Sequence, residues 1–212
     1  MIETEDMGVT RAAYDEVAER YANFIHRQLL ANPFDRGMID AFAQLVGESG
    51  TGPVADIGCG PGRVTAHLAA AGFEVSGIDL SPEMIRLARA EFPDLAFEVG
   101  PMEQLPFADA ALAGLVAWYS IIHIPPQRVP DVLTEFARVV RPGGHVLFGF
   151  QATDEPTGIT EYDHKVALAY RWAPVTFVET LAANGFRATA TLSREARADE
   201  RTPHANVLAV RV

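Results

Sequence analysis

The stretch from Val54 to Arg63, VADIGCGPGR, sets glycines at 58, 60 and 62 directly after a short apolar run, with an aspartate at 56. Glycine lets a loop turn tightly and brings its backbone close to a ligand, because no Cβ stands between them. What such a loop holds depends on spacing. A dinucleotide loop needs G-x-G-x-x-G or its alanine variant, the third small residue letting the helix pack onto the strand. Counted from Gly58, that third place is Arg63; counted from Gly60 it is Thr65. The phosphate-binding pattern G-x-x-x-x-G-K-[ST] is absent as well. The loop therefore keeps the close approach and lacks the phosphate spacing, while Asp56 suits a ligand that carries an ammonium group. Asp79 lies 21 residues beyond Gly58. An acidic residue there accepts hydrogen bonds from ribose hydroxyls and repels a ribose phosphate. These residues describe a nucleoside with an amino-acid tail better than a dinucleotide.

Elements that would position them alternate along the chain. Thr10 to Leu30 reads as an amphipathic helix, with Tyr14, Val17 and Tyr21 at helical spacing. Arg36 to Val46 is a second helix, ended by the breaker run 47–53. Val54–Ile57, Phe73–Ile78, Leu95–Val99, Ala113–Ser120 and His145–Phe150 read as strands. Helices are expected over Gly62–Ala71, from Ser81-Pro82-Glu83 to Glu91, and over Asp131–Val140 before the stop Arg141-Pro142-Gly143-Gly144. Such alternation calls for a parallel sheet with helices on both faces. After Pro174 come a further helix and two strands, Phe186–Leu192 and Ala205–Val212, which suit an antiparallel pair at the sheet edge. Ligands of these sheets sit beyond the carboxyl ends of the strands.

Composition limits the classes open to the chain. Its 212 residues fit one domain over 1–212, divided into a helical cap (1–50), a cofactor core (51–150), an insert (151–174) and a last helix with hairpin (175–212). Formal net charge is −11, with 17 basic residues of which Lys165 is the sole lysine, and no basic run. Nucleic acid is therefore disfavoured as a partner. Cys59 is the only cysteine, which excludes an internal disulfide and fits a reducing compartment. The acidic start MIETEDMGVTRAAYDE does not resemble a signal peptide, and no apolar run approaches the length of a membrane span. A cytoplasmic protein without membrane contact is the expectation, with the number of subunits open.

The segments VADIGCGPGRVTAHLA, VSGIDLSPEMIRLA, VGPMEQLPF, LVAWYSIIHI and EFARVVRPGGHVLF together resemble the class I S-adenosylmethionine-dependent methyltransferases of the small-molecule type. The resemblance covers nearly the whole chain. It implies an α/β fold, Rossmann-like and doubly wound. The sheet is seven-stranded and mostly parallel, with an antiparallel C-terminal hairpin, in a three-layer α-β-α sandwich. The cofactor it implies is S-adenosylmethionine, leaving as S-adenosylhomocysteine. Asp56, Gly58, Gly60 and Gly62 would surround the methionine half, with Cys59 among them, and Arg63 pairs with the carboxylate or is merely solvated. Asp79 would take the ribose, with Leu80 and Met84 against the adenine. Pro101, Met102 and Glu103 would lie at the adenine edge, although Pro101 stands where the family often has an aspartate. Ala117 and Trp118 close the list. The helix Y-D-x-x-A-x-x-Y, here Tyr14 to Tyr21, would cap the cofactor or simply pack on the sheet.

Methyl transfer from a sulfonium is an in-line displacement, and a base is needed only when the nucleophile must lose a proton. His123 is the base candidate because neutral pH lies in its range, with a structural role as the alternative; Tyr14 is a second catalytic candidate. Tyr119, His123, His164, Tyr170, Arg171 and Trp172 are the acceptor-side candidates, the last four on an insert that otherwise reads as a surface helix with Tyr170 and Trp172 turned inward. No metal is expected, since no spacing specifies one. The function read from all this is methyl transfer to oxygen or nitrogen of a small molecule. A cofactor-binding protein without transferase activity, another reaction on the same scaffold, and a nicotinamide reductase are the rivals.

Overall fold

A computed structural model describes residues 4–28, 32–50 and 52–212. Two helices lead, α1 (Glu5–Gln28) and α2 (Pro33–Glu48); the expected extension of α1 to Leu30 lies outside the described residues. Then follow β1 (Val54–Ile57), α3 (Arg63–Ala70), β2 (Val75–Asp79), α4 (Pro82–Glu91), β3 (Ala96–Val99) and β4 (Leu112–Trp118). The second half comprises α5 (Val129–Val139), β5 (Val140–Gln151), β6 (Ile159–Asp163), β7 (Leu168–Trp172), α6 (Pro174–Ala183), β8 (Phe186–Arg194) and β9 (His204–Arg211).

Seven strands form one sheet in the order β3-β2-β1-β4-β5-β9-β8. β9 runs antiparallel to both β5 and β8, and the remaining pairs are parallel. Every residue of β1 and β4 is buried, as strands covered on both faces must be. One face carries α5 and α6. α5 turns Val129, Val132, Leu133, Phe136 and Val139 inward at helical spacing, and Phe177 and Leu181 of α6 join the same core. The opposite face carries α2 and α3 through Ile39, Phe42, Val64 and Leu68. α4 begins where the sequence signals it: Ser81 caps it by accepting the Met84 N–H at 3.1 Å, and Pro82 follows. Strand order reverses between β1 and β4, so the crevice beyond their carboxyl ends is the natural ligand site.

Two local expectations fail. Arg141-Pro142-Gly143-Gly144 does not separate helix from strand. β5 starts at Val140, and those residues sit where its register against β4 shifts between Leu112 and Gly114. The insert is a two-stranded antiparallel sheet, β6 with β7, and not a surface helix. Ala169 and Trp172 of β7 are buried, and Tyr170 packs against the same core.

Candidate functional site

The glycine loop is bound to the tip of β2. The Gly58 and Cys59 N–H groups both donate to the Ile78 carbonyl, at 2.7 and 3.0 Å. Asp79 then accepts the Gly60 N–H at 2.8 Å with Oδ2 and the Ser81 N–H at 2.8 Å with Oδ1. Burial raises its pKa, against the hydrogen bonds it receives. From β4, Ser120 braces the loop by donating to the Ile57 carbonyl at 2.6 Å. It comes so near Gly58 that an added Cβ would stand 2.1 Å from the serine Cβ.

Above this floor lies a cavity of about 820 Å³, its mouth included. Gly58, Gly60, Asp79 and Leu80 form its base; Met84, Pro101, Met102 and Glu103 form one wall; Trp118, Tyr119 and His123 form another. α1 roofs it with Tyr14 and Tyr21, whose rings meet edge to face at 5.5 Å. The roof is tied down at several points. Asp15 accepts the Ser81 hydroxyl at 2.5 Å and the Glu83 N–H at 3.2 Å. Arg128 pairs with Asp6 of α1 and with Glu103 of the wall. The sequence offered no local cue for Arg128; for Asp15 the cue was its place inside Y-D-x-x-A-x-x-Y.

A second cavity, about 2240 Å³ with its open mouth, adjoins the first. Tyr21, Gly58, Gly60, Trp118 and Tyr119 line both, so the two meet at the glycine loop. Asp56, Cys59, Arg63 and His164 line this second space, together with Arg194 at the end of β8, Glu200 of the β8–β9 connection and His204 at the start of β9, none of which the sequence singles out. Tyr119, with a left-handed φ of +54°, shares a 2.6 Å hydrogen bond with His204 Nδ1. Arg194 grips Glu200 with both terminal nitrogens, at 2.5 and 2.7 Å.

Several expected residues are placed otherwise. Gly62 lines neither cavity: at φ +82° it opens α3, and an added Cβ would meet the Phe97 ring at 2.7 Å. Ala117 is wholly buried, because side chains alternate along β4 and it faces the core while Trp118 faces the site. Trp172 is packed 5.4 Å from Phe177 in the core. Tyr170 and Arg171 lie outside both cavities, the Arg171 guanidinium 5.5 Å from the Tyr162 ring centre and 3.9 Å from Asp154. Arg63 does not await a carboxylate, since its guanidinium is 2.6 Å from Glu91 and lies over Phe92. Glu103 lines the cavity with its charge already met by Arg128.

His123 has both ring nitrogens occupied. Nδ1 lies 2.8 Å from the Leu168 carbonyl, which can only accept, so Nδ1 carries the proton. Nε2 then accepts the Tyr14 hydroxyl at 2.8 Å. Burial, with His164 edge-on at 5.2 Å, pulls the His123 pKa down to about 4. Burial pushes the Tyr14 hydroxyl well up, so the pair is neutral at neutral pH.

The chemistry of the loop fits S-adenosylmethionine. Asp56, 1% exposed, accepts the Thr65 hydroxyl at 2.7 Å through Oδ2, whereas its buried Oδ1 has no partner. Burial raises its pKa to about 7. A buried orphan carboxylate oxygen at the loop calls for a cationic donor. At Gly60 an added Cβ would meet nothing within 4 Å, leaving its backbone open to close approach. Among the described residues, no group of three metal-ligating side chains occurs, and no helix is long and apolar enough to cross a membrane.

Residues 54–144 match the family model described as methyltransferase domain. A demethylmenaquinone methyltransferase of Chlorobaculum parvum is 32% identical over 150 residues, 68% of this chain and 60% of that protein. A malonyl-[acyl-carrier protein] O-methyltransferase of Erwinia billingiae is 39% identical over 101 residues, 48% of this chain and 39% of the relative. The matched region thus spans about 40 to 60% of the length of these curated relatives. In fold, the chain is similar to the Burkholderia thailandensis 1,6-didemethyltoxoflavin-N1-methyltransferase, solved with 1,6-didemethyltoxoflavin and S-adenosylhomocysteine. That likeness has a TM-score of 0.79 and 21% identity, covering 100% of this chain and 91% of the other. Motif, loop geometry and likeness agree: the chain belongs to the class I S-adenosylmethionine-dependent methyltransferases, and S-adenosylmethionine is its cofactor.

Proposed function

We propose that the protein moves a methyl group from S-adenosylmethionine to oxygen or nitrogen of a small molecule seated in the second cavity. The observation that carries this is the shared wall: the five residues common to both cavities are those of the glycine loop and its immediate cover. When bound, S-adenosylmethionine would supply an activated methyl on a sulfonium sulfur, to be displaced by the acceptor oxygen or nitrogen with S-adenosylhomocysteine as the leaving group and any acceptor proton released to solvent. The cofactor's amino-acid tail passes the glycine loop into the near end of the second cavity, where Asp56 holds the ammonium; Asp79 holds the ribose hydroxyls, while its grip on Gly60 and Ser81 keeps the floor rigid. Leu80, Met84 and Met102 provide the apolar slot for adenine. Tyr14 and Tyr21 exclude water, which strengthens every electrostatic contact inside. His123 serves to orient Tyr14, because its one available lone pair is already taken by that hydroxyl. Relatives named for demethylmenaquinone and for 1,6-didemethyltoxoflavin support a small acceptor, whereas the one named for malonyl-[acyl-carrier protein] points to a group carried on a protein. The acidic balance and the lone cysteine support a cytoplasmic setting away from nucleic acid.

Calorimetry with S-adenosylhomocysteine and with NAD tests the cofactor half: the first should bind and the second should not, and the reverse order would overturn the reading. Incubation with methyl-labelled cofactor and a metabolite extract, followed by mass spectrometry, tests the transfer half. Label appearing in a small-molecule product is the expected result. Cofactor recovered intact while an extract component is consumed would assign a different reaction to the scaffold.

A further inference from the structure

We propose that the second cavity recruits its acceptor through an oxyanion, a carboxylate or a phosphate group. The inference rests on the methyltransferase reading and names the chemistry of its acceptor. Six of the chain's 17 basic residues line this cavity, among them its only lysine, against four of the 28 acidic ones. That is a local inversion of charge in a protein of net charge −11. Three elements distant in sequence produce it: Arg20 comes from α1, Lys165 from the β6–β7 turn, and Arg197 with Arg201 from the β8–β9 connection. Among the described residues, no side chain forms a hydrogen bond or contact ion pair with the side chains of Arg20, Lys165 or Arg197. A patch of one sign in a recess focuses the field and draws the opposite charge.

The acids present cancel only part of it: Asp199 also lines the cavity, and Asp35 acts electrostatically on Arg194 and Arg197. Glu200 is consumed by Arg194. Burial raises Asp35 to a pKa of about 6 and Asp56 to about 7, so both are partly protonated near neutrality. A second observation points to a polar ligand. Of the thirteen buried side-chain atoms that lack a partner among the described residues, eight belong to residues lining this cavity. Four of them are donors, Asn32 Nδ2, Arg63 Nε, Trp118 Nε1 and Arg194 Nε, the last 3.8 Å from Asp35 Oδ1, and three are acceptor oxygens, on Asp35, Asp56 and Gln151. Buried donors beneath a cationic mouth are complementary to oxygens bearing negative charge. It also suits the weak bases nearby, since burial holds His204 down at about 4, as it does His123. An acceptor that arrives already ionised asks neither histidine for proton removal.

The test titrates wild-type protein with benzoate, benzamide and inorganic phosphate, each in the presence of saturating S-adenosylhomocysteine. The charge-reversed K165E/R197E variant is compared with R187E, which makes the same kind of change on exposed β8. Benzoate or phosphate should bind, with benzamide at least about tenfold weaker; the double variant should lose at least about tenfold in oxyanion affinity and R187E less than about twofold. S-adenosylhomocysteine affinity should be the same in all three proteins. Phosphate that displaces benzoate identifies a phosphorylated acceptor, and phosphate that does not identifies a carboxylic acid; either upholds the oxyanion. Benzamide binding as well as benzoate, neither anion binding, or equal losses in K165E/R197E and R187E would overturn it. Failure of S-adenosylhomocysteine to bind the wild type would instead remove the methyltransferase reading underneath.

Discussion

Replacing Asp56 with asparagine should yield a more stable protein that binds its cofactor less well, and both effects should depend on pH. The carboxyl is buried at the end of β1, and burial drives its pKa up to about 7 from an ordinary 3.8, against the help it receives from Thr65. Between those two values the folded state holds a proton that the unfolded chain has released. The contribution of this group to stability is therefore largest at low pH and is lost as pH rises through about 7. At 1.36 kcal/mol per pH unit, an interval of about three units sets a ceiling of about 4 kcal/mol on the cost of ionised Asp56. Asparagine keeps an oxygen for the Thr65 hydroxyl and carries no charge. The expected gain in urea denaturation is about 3 kcal/mol at pH 8 and about 1 kcal/mol at pH 5 once relaxation of the surroundings is allowed for. Binding supplies the other half. An ammonium beside Asp56 favours its ionised form, so S-adenosylhomocysteine binding near pH 6.5 should expel a fraction of a proton, and the calorimetric heat should vary with the ionisation enthalpy of the buffer. In the Asp56→Asn variant that variation should vanish and affinity should fall by about tenfold. A stability gain equal at both pH values would show that Asp56 is ionised throughout. Unchanged affinity would mean that some other group receives the ammonium.

Gly60→Ala and Gly62→Ala should separate two uses of glycine. Gly62→Ala should cost about 2 kcal/mol, a fall in Tm of about 4–8 °C, with cofactor affinity nearly intact, because its Cβ would meet Phe97; Gly60→Ala should cost about 1 kcal/mol yet weaken S-adenosylhomocysteine markedly. Reversed outcomes would show that the wrong glycine has been placed at the ligand. Arg128→Ala should speed hydrogen exchange at the start of α1 while changing global stability by less than about 1 kcal/mol, since partly exposed ion pairs contribute little; unaltered exchange would show that the strap does not hold the roof. The pH profile of kcat should show no titration near 6.5 from His123, which burial keeps at about 4. A limb at that pH, abolished by His123→Gln, would restore the histidine as the base.

Signals confined to neighbouring residues were legible at once. The capping serine and proline at 81–82, the apolar face of α5, and the alternation that yields a parallel sheet closed by an antiparallel pair all depend on contacts within one element or between successive ones. Glycine spacing and the carboxylate at position 79 likewise argued against a pyrophosphate, because a loop reports its clearance through its own composition. The insert was misread where that logic is weakest: a short stretch with aromatics at 162, 170 and 172 satisfies helix and hairpin alike, and only docking Trp172 against Phe177 chooses the strand.

From its sequence alone, then, the chain determined its layers, its mostly parallel sheet with an antiparallel end and the kind of molecule its first loop admits. Tertiary structure decided how each charge is spent. Arg63 finds Glu91 28 residues away, Arg128 joins Asp6 to Glu103, and His123 is sealed between Tyr14 and Leu168. It also assembled the second cavity from α1, the β6–β7 turn and the β8–β9 connection. The reason is physical: backbone preference is set by a residue and its immediate neighbours, whereas the environment of a charge is set by whatever the folded chain brings beside it.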